Sequence, residues 1–324
     1  MKNYYLNSSE RGIKKVNNLL LYDQPETVYG QLLLNQTNLP SKNKKQFKEI
    51  QPLKLLDAPN VTQNSEYQLL DWSSQEIIFL GLKENLFARN FKTGITQLIT
   101  QLEDGILTSL CSQGELIVYS TSNGDLIVID SDQKQVLQTY QLNDITRMIC
   151  FNDCILCCAT VNNGILYIDL RQNKYIYRIG TLVDIYSVSL NDNLLAAGTL
   201  NKVCIYDIRK PQILIAQYNQ DGRALAWDKR KQNYLCAGGL DQKITIWNTE
   251  TEYNPYRLNA DFAITQIVST NTQLLYCAGN KCYNGNIVMN RHQEKILRIA
   301  TSTDQTQLCS LGADELLIFW SLIN

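Results

Sequence analysis

The chain has 324 residues, a formal net charge of −1 and 44% hydrophobic residues, which is room for one large all-β domain and a short extension. The near-neutral charge argues against a broad basic face for nucleic acid. No apolar run approaches the roughly 18 residues that span a bilayer, and no apolar segment follows the opening Met-Lys-Asn-Tyr-Tyr to make a secretory signal.

Residues 1–51 lack internal repetition and are rich in Asn, Gln, Lys and Ser, so they are expected to form a flexible N-terminal arm. Two apolar clusters interrupt the arm, Tyr4-Tyr5-Leu6 and Tyr29 with Leu32-Leu33-Leu34. Such clusters dock on a partner or on the protein's own surface. Lys42, Lys44 and Lys45 read as a solvated linker in preference to a nuclear-import signal.

From residue 52 the chain repeats. Pro52-Leu53-Lys54-Leu55-Leu56-Asp57 is strand-like, and after it an apolar strand, a short turn and a second strand recur seven times. The second strands are read at Leu86–Asn90, Leu126–Asp130, Ile165–Asp169, Val203–Asp207, Ile244–Asn248, Ile287–Asn290 and Leu317–Ser321. Their ends are spaced 40, 39, 38, 41, 42 and 31 residues apart, close to the period of about 40–45 for four-stranded propeller blades. Residues 52–324 are therefore expected to form a seven-bladed β-propeller, an all-β fold. Asn123-Gly124, Asn163-Gly164 and Asn284-Gly285 supply the positive φ of tight hairpins. Small residues, as in Leu195-Ala196-Ala197-Gly198, mark close packing near the axis, and Tyr206, Trp247 and Trp320 mark packing between blades. The short last interval predicts a reduced or missing outer strand in blade six. An open ring leaves a sheet edge, so Pro52–Asp57 is expected to pair with the C-terminal strand and complete blade seven.

An acid stands at each strand entry: Asp104, Asp144, Asp184, Asp221 and Asp261, with Glu66 and Glu294 near the equivalent points of the first and last blades. Two readings stay open, turn chemistry and an acidic rim that attracts Lys- and Arg-bearing peptides. Ten cysteines, including Cys154, Cys157 and Cys158, read as buried small hydrophobes and not as a metal or redox site. The single histidine, His292, lies in a polar, turn-like stretch and is read as a surface residue. Neither a nucleophile elbow nor a phosphate-cradling glycine loop is present, so no catalytic residue, metal or cofactor is expected.

Pro52-Leu53-Lys54-Leu55-Leu56-Asp57-Ala58-Pro59, followed by Leu69-Leu70-Asp71-Trp72-Ser73-Ser74, closely resembles the Fizzy and Fizzy-related activators of the anaphase-promoting complex, a family of WD-repeat propellers. Ile165–Arg171 and Gly312-Ala313-Asp314-Glu315 are similar to the family's pattern too. The resemblance implies a substrate-recruiting, non-catalytic subunit of a ubiquitin ligase, acting in nucleus and cytoplasm. Its partners would be ligase subunits and proteins carrying D-box or KEN-box motifs, with neither nucleic acid nor membrane. It implies a D-box site between blades one and seven, where Glu315, with Asp314 beside it, matches one acid of a pair. Asn64 falls where the other acid would stand, and Glu66 is its nearby substitute. For the KEN-box, the implied top-face residues are Asn201 and Lys295, with Asp261 in the acidic ring. Tyr5 and Leu6 stand in the arm where the C-box would be, without its acid, arginine or proline. Tyr29, Leu32 and Leu33 resemble a second ligase-docking motif. The chain ends at Ile323-Asn324 without the family's terminal arginine, so weak or conditional ligase binding is expected. Alternatives are a degenerate relative that binds partners without activating the ligase, and a WD-repeat scaffold of another pathway.

Overall fold

The computed structural model describes residues 47–172, 174–179, 184–251 and 255–323. Tyr5, Leu6, Tyr29, Leu32 and Leu33 lie outside them. Among the described residues the strands form seven antiparallel sheets, and one sheet gains a parallel edge strand. Blade one is Leu70–Trp72, Ile77–Leu82, Asn85–Asn90 and Thr96–Gln101. Blade two is Leu107–Gln113, Leu116–Thr121, Asp125–Asp130 and Val136–Gln141. Blade three is Thr146–Asn152, Ile155–Thr160, Ile165–Asp169 and Lys174–Ile179. Blade four is Ser187–Asn191, Leu194–Gly198, Val203–Asp207 and Leu214–Tyr218. Blade five is Ala224–Trp227, Tyr234–Gly238, Lys243–Asn248 and Tyr256–Asn259. Each runs from an inner strand to an outer one, and the fold is the seven-bladed propeller that the repeat predicts.

The burial pattern follows from this stacking. Second and third strands are covered on both faces by neighbouring blades, so Leu194–Gly198 and Val203–Asp207 are almost continuously apolar and buried. Outer strands such as Thr96–Gln101 are mostly exposed. The core is accordingly a ring of clusters between blades. Leu70, Trp72 and Ile78 of blade one pack on Leu297, Leu317 and Phe319, and Leu275 and Met289 pack on Ile296 and Trp320. Close packing at the axis is enforced where Gly198 meets Gly222, because a Cβ on either would run into the other's backbone. Cys157 and Cys158 point to opposite faces of blade three and fill two different clusters.

Blade seven closes the ring as expected. Its strands are Ile296–Thr301, Gln307–Gly312 and Leu316–Ser321, and Lys54–Asp57 completes it by pairing antiparallel with Leu316–Ser321, Lys54 opposite Phe319 and Asp57 opposite Leu316.

Blade six differs from the sequence reading. It has four antiparallel strands, Ile264–Ser269, Leu274–Ala278, Lys281–Asn284 and Ile287–Met289. Ile287–Met289 is the outer strand, and the third strand is Lys281–Asn284. The interval is short because the strands are short and the links are tight, through Gly279 at φ 61° and Gly285 at φ 56°. Lys48–Ile50, inside the segment read as arm, adds a fifth strand parallel to Ile287–Met289, and Phe47 meets the Tyr283 ring edge-on at 5.4 Å.

A candidate peptide-binding face

The junction of blades seven and one is built by the chain leaving Lys54–Asp57. It crosses the turn before the last strand, where Ala58 N donates to Glu315 O at 2.7 Å. Asn60 N donates to Glu315 Oε1 at 2.9 Å, and Gln63 Nε2 donates to Ala313 O at 3.3 Å. Glu315 is exposed, with φ 60°, and its second carboxylate oxygen accepts no hydrogen bond among the described residues. Asp57, also exposed, pairs with Leu316 and so shares its face toward blade six.

The other acids of this region are taken up internally. Asn64 Oδ1 accepts from Glu66 N at 2.9 Å, an Asx turn. Glu66 meets Arg147 of blade three at 3.0 Å. Its carbonyl, and that of Tyr67, accept from Arg298 at 2.8 Å, and burial pulls the Arg298 guanidinium down to about 10. Arg147 also meets Asp184 at 2.7 Å and stacks 4.2 Å from the Tyr186 ring, with Arg223 at 5.1 Å from the same ring. The first-blade entry is thus clasped by arginines from blades three and seven.

Asp314 and His292 belong to a buried network, which corrects the surface reading of the histidine. Trp320 Nε1 donates to Ser310 Oγ at 2.9 Å, and Ser310 Oγ lies 2.8 Å from His292 Nε2. His292 Nδ1 lies 2.8 Å from Asp314 Oδ1, and Gln293 N donates to Asp314 Oδ2 at 2.8 Å. A neutral imidazole with its hydrogen on Nδ1 satisfies every contact. The brace recurs in other blades with acids instead of histidine. Asp144 accepts from Asn162 N and Asn163 N at 2.8 and 2.6 Å, and Asp221 from Leu240 N at 2.8 Å. In the acidic ring Asp144 and Asp221 are therefore turn chemistry, whereas Glu66 and Asp184 pair with Arg147. Asp261 and Glu294 stay exposed without a side-chain partner among the described residues.

Burial holds the His292 imidazole below its ordinary value of 6.5, against the opposing pull of Asp314. The unfolded chain then binds more protons than the native one between the two values. The neutral histidine's contribution is complete above pH 6.5 and is lost as pH falls through the lowered native value. Urea stability is expected to drop on acidification below pH 6.5, and less so in His292→Gln. Parallel curves for the two proteins would exclude His292 as the source.

On the same face as these braces, a cleft of about 620 Å³ opens between blades four and five. Leu200, Asn201, Asp221, Arg223, Leu240 and Asp241 line it. Burial, aided by Asp241, raises the Asp221 carboxyl above its usual range, against backbone hydrogen bonds from Leu240 and Arg223. Arg223 Nε is buried without a hydrogen-bond partner among the described residues. Leu200 is 36% exposed and Leu240 60%, so an apolar rim flanks the cleft. Of the expected top-face residues, Asn201 lies in the cleft. Lys295 is exposed at the entry to blade seven, where its carbonyl accepts from Ala313 N at 2.9 Å.

No protein-family model matches the chain. It is 25% identical over 306 residues to the APC/C activator protein CDH1 of Saccharomyces cerevisiae, covering 86% of this chain and 54% of the relative. It is 27% identical over 331 residues to the anaphase-promoting complex subunit cdc20 of Dictyostelium discoideum, covering 92% and 66%. The Arabidopsis thaliana protein FIZZY-RELATED 3 is 25% identical over 309 residues, covering 84% and 62%. The chain is a distant relative of the Fizzy and Fizzy-related activators. This Fizzy relative spans about half to two thirds of the length of these proteins. A chain in the crystal structure of a mitotic checkpoint complex superposes with a TM-score of 0.79 at 21% identity, covering 96% of this chain and all of that one, and this agreement is one of fold.

Proposed function

We propose that this propeller recruits substrates to the anaphase-promoting complex, in nucleus and cytoplasm, by holding short degradation motifs without chemistry of its own. The observation that carries the reading is the exposed Glu315, with one carboxylate oxygen to spare, at the junction of blades seven and one. A carboxylate held there with an oxygen to spare suits the arginine of a D-box through charge-assisted hydrogen bonds. The cleft between blades four and five suits a lysine-bearing KEN-type motif. Asp221 and Asp241 offer negative charge, and the leucine rim can cover the lysine stem.

The test is titration of a labelled D-box peptide against the full chain. Glu315→Lys is expected to weaken binding by about 1.5–3 kcal/mol, roughly tenfold to 150-fold, with little change in folding. Unchanged affinity would remove Glu315 from the site. A second reading, partner binding without activation, is favoured by the missing acid, arginine and proline around Asn3–Ser8. Co-purification with ligase subunits, but no stimulation of ubiquitination, would select it.

A further inference from the structure

Blade six holds a pair of thiols that the peptide-binding face does not use. Cys277 and Cys282 are directly opposed on adjacent antiparallel strands, and both are fully buried. Their sulfurs lie 2.8 Å apart. Heavy atoms in nonbonded contact rest at about 3.5–4.0 Å, and a disulfide bond is about 2.05 Å long. Cys150 and Cys157 of blade three are also directly opposed and interact through their side chains, so they are the pair against which Cys277 and Cys282 must be compared. Opposed Cβ atoms across an antiparallel pair stand about 4.5–5.5 Å apart, near the separation a disulfide spans.

Access comes from the blade itself. Its last two antiparallel strands have four and three residues, and the parallel strand on its edge has three. Short strands at a sheet edge open locally before the whole domain does. Cys282 pairs with Met289, and Met289 with Ile50, so the thiols lie in one row with the edge strand.

We propose that Cys277 and Cys282 are an oxidation site, which a small-molecule disulfide converts to a cross-strand disulfide when blade six opens. In the opened blade one thiolate attacks the reagent and expels one reduced thiol, leaving a mixed disulfide. The second thiolate then displaces the other half. Two protein thiols and one reagent disulfide become one protein disulfide and two small thiols. Arg298 lies close enough to favour the Cys277 thiolate, against the much larger effect of burial, which pushes that thiol well up. In the closed blade burial keeps the reagent from both sulfurs.

The test uses the full chain and oxidised glutathione, in urea kept below global unfolding. Free thiols are then blocked under denaturing conditions and mapped by peptide mass spectrometry. Loss of two of the ten blockable cysteines is expected, with Cys277 and Cys282 joined before any other pair, and faster as urea rises. Cys282→Ser should stop at a glutathione adduct on Cys277. A different first pair, glutathione adducts on both sulfurs without closure, or ten free thiols at every urea concentration would each overturn the proposal. The wild-type map decides the matter even where the variant does not fold.

Discussion

Deleting residues 1–60 is expected to give an insoluble or far less stable protein, whereas deleting residues 1–45 is expected to leave the fold intact. The shorter deletion spares Lys48–Ile50 and Lys54–Asp57. The longer one removes the strand that pairs with Leu316–Ser321, along with the bonds from Leu53 N to Phe319 O and from Ala58 N to Glu315 O, both 2.7 Å. Each hydrogen bond contributes about 0.5–1.5 kcal/mol net. Ala58 is fully buried and Leu56 packs against the same cluster, which adds apolar burial at about 25 cal/mol per Å². The total loss is on the order of 5 kcal/mol, comparable to the whole stability of many domains. The exposed edge of Leu316–Ser321 would then be free to pair with other chains. Urea midpoints and solubility of the two truncations check this, and equal behaviour would mean that the ring is not held by this strand.

Trp320→Ala is expected to destabilise the protein by about 3–5 kcal/mol, the usual range for removing a large aromatic from a core. Trp320 is fully buried between blades six and seven and donates to Ser310 Oγ. The change opens a cavity at the blade junction and removes one end of the network that runs through Ser310 and His292 to Asp314. Trp320→Phe keeps most of the volume but loses the donor, so a smaller loss of about 0.5–1.5 kcal/mol is expected. Urea unfolding of the three proteins gives the comparison. Equal losses for Ala and Phe would assign the effect to the hydrogen bond and not to packing.

What was legible in the sequence was local. A strand buried on both faces reads as an apolar run whatever stands beside it, so the third strands of blades one to five were found to within a residue, and Asn-Gly turns gave the hairpins of blades two and three. Blade six was misread because Ile287–Met289 has the composition of a third strand, and its outer position depends on the four-residue Lys281–Asn284 ahead of it. The parallel strand Lys48–Ile50 was invisible, since nothing in Lys-Glu-Ile names a partner about 240 residues away. His292 looked exposed among polar neighbours because the residues that bury it, Ser310, Asp314 and Trp320, are brought to it only by the blade. The same holds for the candidate site. Glu315 was named from its motif, but the hydrogen bond it accepts from Asn60 exists only when the ring closes, and the arginines around Glu66 come from blades three and seven.

That closure also sets an order of events during synthesis. Asn60 and Glu315, hydrogen-bonded in the finished ring, are 255 residues apart in the chain. At the usual 5–20 residues per second, the ribosome needs roughly 13–50 s to make the second after the first. Through that interval Lys54–Asp57 has no strand to join, and Leu56, packed on a buried cluster in the finished ring, has none to pack on. The blades can form one by one as they emerge, but the ring closes only after Leu316–Ser321 has been made.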